Sequence, residues 1–132
     1  MTLTVRQFEP SRDYEDVCEW WKAHDWDAQP LEALSTLGFI AEKGGQKIAA
    51  VWLYISNSAI SYLEFMVTNP KAPLRARRDG IREVGIAGLM SAKACGAKLV
   101  FSSLKSRGLI REYERLGFSK GDPGMTNLIA RV

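Results

Sequence analysis

Five cations crowd into one short stretch of this chain: Lys71, Arg75, Arg77, Arg78 and Arg82. They follow an apolar, strand-like segment (Tyr62, Leu63, Glu64, Phe65, Met66, Val67) and a loop punctuated by Pro70 and Pro73, and they lead into a segment of helical periodicity that is expected to open at Gly80. A helix N-terminus presents unpaired N–H groups and the positive end of its dipole. An adjacent arginine cluster therefore makes the turn a seat for a phosphate-bearing ligand. The same residues also read as a basic surface loop capped by a helix, and the stretch by itself leaves both readings open. Other chemistries are more constrained. His24 is the only histidine, and Cys18 and Cys95 are the only cysteines. A Ser-His-Asp triad can pass only through His24, a multi-His metal site cannot be built, and two distant cysteines supply neither a zinc site nor a disulfide framework. No metal is expected.

The elements that would position the cationic turn can be taken in order. With 132 residues, 46% hydrophobic and 25% charged, the chain is expected to form one domain over residues 1–132 with a genuine core. No apolar run approaches bilayer length and residues 1–6 lack the order of a signal peptide, so no membrane partner and a cytoplasmic location are expected. The net charge of +3 is mild, but the clustered cations favour an anion: a phosphorylated cofactor, a nucleic acid or an acidic partner.

Residues 2–8 alternate and read as a strand ending at Pro10. Ser11 is the natural N-cap of a helix that carries Tyr14, Val17, Cys18 and Trp21 on one face and ends near Ala23. A polar and aromatic connector, 24–30, precedes a second short helix over 31–37 that stops at Gly38. The aromatic residues around it fill the core or mark a binding mouth. Strands are expected at 39–43 and 47–55 around the Gly44-Gly45 turn, and at 59–67. The helix from Gly80 to Gly96 carries small residues at Gly85, Ala87 and Gly88, which predict a close packing partner. Residues 98–104 read as a central strand reached by a parallel crossover, 106–116 as a short helix capped by Gly117, and 118 onward as a final hairpin. The expected fold class is α/β: a central mixed, mostly antiparallel sheet flanked by helices.

That order of elements, together with two local signatures, resembles the GCN5-related N-acetyltransferase (GNAT) superfamily. Tyr113, Glu114, Arg115, Leu116, Gly117 and Phe118 look like the family's Y-E-x-x-G-F at the end of its last helix, with Ser106 where the family often has Asn. Arg77, Arg78, Asp79, Gly80, Ile81 and Arg82 resemble the pyrophosphate loop R/Q-x-x-G-x-G/A, with Arg82 in place of the final small residue. An arginine there either blocks the close backbone approach to a diphosphate or adds its own bidentate grip.

The resemblance implies direct acyl transfer from acetyl-CoA to an amine. The strand carrying Phe65, Met66 and Val67 would bind the pantetheine arm and thioester carbonyl through its backbone, and the turn from Arg77 to Arg82 would hold the diphosphate. Tyr113 would be the general acid toward the departing thiolate, or else a packing tyrosine that tethers the last helix. Glu64 would be the base for the incoming ammonium, or simply a solvent-facing residue of an alternating strand. Trp21, His24 and Trp26 would border the acceptor. Two other functions remain open: a non-catalytic binding module for a protein or nucleic acid, and an acyltransferase acting on a nucleobase or macromolecule. Exposed sheet edges also allow a homodimer.

Overall fold

The computed structural model describes residues 2–132. Strand β1 (Leu3–Gln7) leads to helix α1 (Pro10–Ala23), and a 3₁₀ turn (Leu31–Ala33) precedes strands β2 (Leu37–Lys43), β3 (Gln46–Ile55) and β4 (Ile60–Thr68). Helix α2 (Leu74–Ala94), strand β5 (Leu99–Phe101) and helix α3 (Arg107–Arg115) follow. The sheet order is β1-β2-β3-β4-β5. Its first three pairings are antiparallel and the last, β4 with β5, is parallel. This is the mixed, mostly antiparallel sheet that the sequence implies. Among the described residues no helix is long and apolar enough to cross a membrane.

Helices cover both faces, and β3 shows why its sequence is an unbroken apolar run. Every residue from Ile48 to Leu53 is at most 1% exposed. Val51 and Leu53 join the core under α2, whereas Ala50 and Trp52 join the core under α1 with Phe8, Trp20 and Trp21. A strand buried on both faces has no need of polar alternation. The small residues of α2 set its approach to the sheet. A Cβ on Gly80 would lie 2.7 Å from Ile48, and one on Gly88 would lie 2.6 Å from Leu63. The β2–β3 turn is the expected two-residue type, with Gly44 and Gly45 at φ 58° and 79°.

Several expectations need correction. Helix α1 starts at Pro10, whose fixed φ suits the first helical position, and the side chain of Ser11 makes no cap. The helix expected over 31–37 shrinks to the 3₁₀ turn Leu31–Ala33. Leu37 already pairs with Leu53, and Gly38 sits in β2 because a Cβ there would lie 2.6 Å from the Trp52 indole. Helix α2 starts at Leu74 after Pro73, not at Gly80, so Arg75, Arg77 and Arg78 belong to its first turns and Gly80 is buried within it. Strand β5 is not central: it is a three-residue edge strand, with Leu99 and Phe101 61% and 54% exposed. The expected final hairpin is absent, since residues 118–132 contain no helix or strand.

One buried carboxylate ties α1 to the sheet. Asp13 is fully buried and accepts two hydrogen bonds of 2.8 Å from Arg6 on β1, with Lys47 on β3 at 3.0 Å and the Glu9 N–H at 2.8 Å. Burial works to raise its pKa, but the hydrogen bonds from Arg6, Glu9 and Lys47 outweigh that and hold it down to about 2. A carboxyl depressed from an unfolded value near 3.9 adds stability that is present above pH ~4 and is lost as the pH falls toward ~2. Asp13→Asn should therefore cost about 2 to 3 kcal/mol at neutral pH. Thermal melts of the wild type should fall steeply between those two pH values, while melts of the variant should lose that slope.

Candidate active site

Strands β4 and β5 part after three residues. Ile60, Ser61 and Tyr62 pair with Leu99, Val100 and Phe101, and beyond Tyr62 the β5 side of β4 has no neighbouring strand among the described residues. The Ser102 hydroxyl donates to the Leu63 carbonyl at the fork, and the Ser103 N–H donates to Glu64 Oε1 at 2.7 Å. On its other edge β4 carries a bulge. The β3–β4 register slips between Ala50 and Trp52, and Phe65 takes a φ of 63°. A left-handed non-glycine residue costs about 1–2 kcal/mol, and a bulge of this kind re-aims the backbone that follows it. The main chain of Phe65, Met66 and Val67 thus lies beside an open fork.

Helix α3 brings Tyr113 to the same place. Ser106 caps the helix by accepting from the Leu109 N–H at 3.3 Å. At the other end the Gly117 N–H donates to Glu114 O and the Phe118 N–H to Tyr113 O, both at 3.1 Å, with Gly117 at φ 106°. This is a Schellman ending, in which the Phe118 N–H bonds back to the carbonyl of Tyr113, five residues earlier. The rings of Tyr113 and Phe118 lie 4.9 Å apart. Helix termination therefore explains the ring of Tyr113, the Gly and the Phe.

It does not explain the hydroxyl. Tyr113 is 1% exposed, and its Oη has no hydrogen-bond partner among the described residues. Burial pushes the phenol well above its ordinary value; Ser102 opposes that rise and the charge of Glu64 adds to it. The Ser102 hydroxyl is turned to Leu63 instead of the phenol. Burial likewise raises the Glu64 carboxyl, partly countered by the Ser103 N–H and by Ser102. Glu64 is half-buried, so it is not the solvent-facing residue of a simple alternating strand.

A groove of about 240 Å³ runs from the N-terminus of α2 along the end of β4 to α3. Arg77, Arg78 and Ile81 line it from α2, Val67 from β4, Ser106 from the N-cap of α3, and His24 with Trp26 from the connector. The His24 Nε2 lies 3.1 Å from the Thr68 carbonyl, and its ring lies 5.0 Å from that of Trp26, tilted by 32°. The first N–H groups of α2 have no side-chain cap, and Arg77 Nε is buried without a partner among the described residues. These are features of an anion seat.

Other expected site residues lie elsewhere. Gly80 is buried against β3, and Trp21, 2% exposed, packs in the α1 core; neither lines the groove. Asp79 and Arg82 line a neighbouring cleft with Arg75 and Arg78, and the cleft shares Arg78, Glu112 and Arg115 with the groove. Met66 is buried in the α2 core, leaving only its backbone for the fork. Sequence reasoning missed Ser102 and Ser103, which no spacing marks. It also missed Arg111 and Arg115, which line the groove from α3 and whose four-residue spacing on a helix could have shown them. Among the described residues no three His, Cys, Asp or Glu side chains are grouped to hold a metal ion.

No protein-family model matches the sequence, and no curated protein matches it significantly. Solved structures do. A GNAT-family acetyltransferase from Streptococcus pneumoniae TIGR4 is similar with a TM-score of 0.62 at 15% identity, over 98% of each chain. Glucosamine-6-phosphate N-acetyltransferase from Arabidopsis thaliana is similar with a TM-score of 0.67 at 14% identity, over 98% of this chain and 100% of that one. A transcriptional regulator from Bacillus halodurans C-125 is similar with a TM-score of 0.69 at 13% identity, over 97% of this chain and 100% of that one. The chain has the GNAT fold.

Because the Ser106 side chain caps the helix that carries Tyr113, Ser106→Ala should destabilise the protein by about 1 kcal/mol. Chemical denaturation should show a lower midpoint, and Ser106→Asn should restore it.

Proposed function

We propose that this chain is an N-acetyltransferase that moves an acetyl group from acetyl-CoA directly to an amine. The observation that carries the reading is the buried, unpartnered Tyr113 hydroxyl beside Glu64, at the fork where β4 leaves β5. An unmet buried hydroxyl costs about 1–3 kcal/mol, a cost relieved by a ligand that supplies the missing acceptor. The residues present fit the cofactor: a cationic groove for its phosphates, a free backbone edge for an extended amide-bearing arm, and an orphaned donor where the arm would end. Acetyl-CoA, when bound, supplies the activated acyl group.

Arg77 and Arg78, with the first turn of α2, would hold the diphosphate. The main chain of Phe65 to Val67 would bind the arm and orient the reacting carbonyl. Tyr113 keeps its proton at Oη at neutral pH, since its phenol is pushed above the ordinary value of about 10. Giving that proton outright to a thiolate of pKa near 8.5 is uphill. Its contribution is thus a hydrogen bond to the charge that develops on the departing sulfur. Glu64 would accept the proton of the amine, directly or through water. Its raised pKa brings it nearer to neutrality and makes it a stronger base than an ordinary carboxylate.

A second reading, a binding module for nucleic acid, draws on the cleft of Arg75, Arg78, Arg82 and Arg115 beside the groove. It predicts binding that weakens steeply with salt.

Calorimetric titration with acetyl-CoA tests the first reading. Saturable binding is expected, weakened at least about tenfold by Arg77→Ala, the equivalent of one charge-assisted hydrogen bond. Absence of any heat or thermal stabilisation would remove it. Tyr113→Phe should still bind the cofactor while turnover falls about 10²-fold or more. With an amine acceptor, kcat/KM should fall as the pH drops through a value above that of an ordinary glutamate. Glu64→Gln should abolish that acid limb.

A further inference from the structure

An aromatic row crosses three strands of the sheet just before Glu64. Tyr54 on β3 is paired with Tyr62 on β4, and Tyr62 with Phe101 on β5, so the three side chains stand on one face. Trp52, on the same face of β3, packs in the α1 core, whereas Leu63 and Val100 turn to the core under α2. The row thus lies on the α1 side of the sheet, and no helix covers its outer part: Tyr62 and Phe101 are 44% and 54% exposed. Their rings are stacked, 6.1 Å apart and inclined by 27°, and Tyr54 meets Phe65 edge-on at 6.0 Å.

Glu64 follows Tyr62 by two residues, on the same face and about 7 Å further along the strand. The Ser103 N–H holds its carboxylate toward β5 at 2.7 Å. Its charge acts on Tyr54 in the row and on Tyr113 at the fork. One half-buried carboxylate therefore links an exposed aromatic surface to the buried hydroxyl.

We propose that the acceptor is a primary amine carried on an aromatic ring, with the ring lying on Tyr62 and Phe101 and the ammonium reaching Glu64. The inference rests on the acetyltransferase reading and names the acceptor class for that same site. Two neighbouring rings offer a third ring offset-stacked or edge contacts that an aliphatic group cannot make, and their faces attract a passing cation. Glu64 then fixes the ammonium by a charge-assisted hydrogen bond at a set distance from the ring. The same face suits a sugar poorly, because its hydroxyls are already engaged: Tyr54 donates to the Ala33 carbonyl at 2.8 Å and Ser56 to the Ile60 carbonyl at 2.6 Å. A phosphorylated acceptor is better matched elsewhere, since the arginines of the groove belong to α2 and α3, which share the core on the opposite side of the sheet. In the transfer, Glu64 takes the first of two protons that the ammonium gives up as its nitrogen bonds to the acetyl carbon and the carbon–sulfur bond breaks. The second proton neutralises the departing thiolate.

The pair 2-phenylethylamine and 2-cyclohexylethylamine tests the assignment, because the two differ chiefly in the π system of the ring. Transfer from acetyl-CoA to each is followed on the full chain by release of the thiol. The aromatic amine should have a kcat/KM about tenfold higher, the equivalent of its contacts with two rings. Tyr62→Leu/Phe101→Leu should bring the two amines to about equal kcat/KM through a higher KM for 2-phenylethylamine, with the calorimetric affinity for acetyl-CoA and the circular dichroism spectrum unchanged. Equal use of both amines by the intact protein would overturn the assignment. So would a preference that survives the double substitution, or no transfer to 2-phenylethylamine by protein that binds acetyl-CoA; each of these leaves the acetyltransferase reading standing. Failure to bind acetyl-CoA would remove both.

Discussion

Strand β4 carries two opposed demands, and most of the architecture answers to them. Its side chains belong to the core: Leu63, Met66 and Val67 are at most 3% exposed. Its backbone, past Tyr62, is free on the side where β5 would otherwise continue. A buried strand with an open edge is expensive, because each unmet main-chain group costs about as much as a lost hydrogen bond. The fold holds it from elsewhere. β3 pairs along its other edge, α2 sits against Leu63 at a distance that only a glycine at position 88 allows, and Ser102 closes the fork at the Leu63 carbonyl. The bulge at Phe65 is tolerated for the same reason: the strand is fixed on both sides of it.

The path of the chain was legible wherever one local rule dominated. The Gly44-Gly45 turn, the amphipathic face of α1, the doubly buried run of β3 and the Gly117 ending of α3 each follow from a single short-range constraint. Errors came where tertiary context decided. Gly38 looks like a helix stop, but it is there to admit the Trp52 indole from a neighbouring strand. Gly80 looks like a helix start, but its missing side chain serves contact with Ile48 six residues inside α2. Pro73 was the better start signal, since proline fits the first turn and ends the extended segment before it. Residues 98–104 looked central because an exposed apolar edge strand and a buried one have the same composition.

The earlier start of α2 changes the electrostatic argument more than any other correction. With the helix beginning at Leu74, the dipole end and its free N–H groups lie next to the groove, and Arg77 points inward where a loop arginine would have been free to move. Position 82, two turns further on, is directed to the neighbouring cleft. The partial charge of a helix end is worth roughly 0.3–1 kcal/mol to an exposed anion, less than a single well-placed arginine. The groove has both, and His24 and Trp26 wall its other side.

Three buried side-chain polar atoms lack partners among the described residues, Trp52 Nε1, Arg77 Nε and Tyr113 Oη, and the first and last differ in their surroundings. Trp52 sits in the α1 core with Phe8 at 5.0 Å and Trp21 at 5.4 Å. Those aromatic contacts are worth about 0.5–1.5 kcal/mol each beyond burial, enough to offset one unmet N–H. Tyr113 has one such ring contact, with Phe118, and that contact is already used in ending the helix. Its hydroxyl is influenced by Ser102 and by a half-buried carboxylate whose own proton affinity is raised. A phenylalanine would satisfy the packing at lower cost. The oxygen stands where the backbone of β4, past Tyr62, has no neighbouring strand on its β5 side among the described residues.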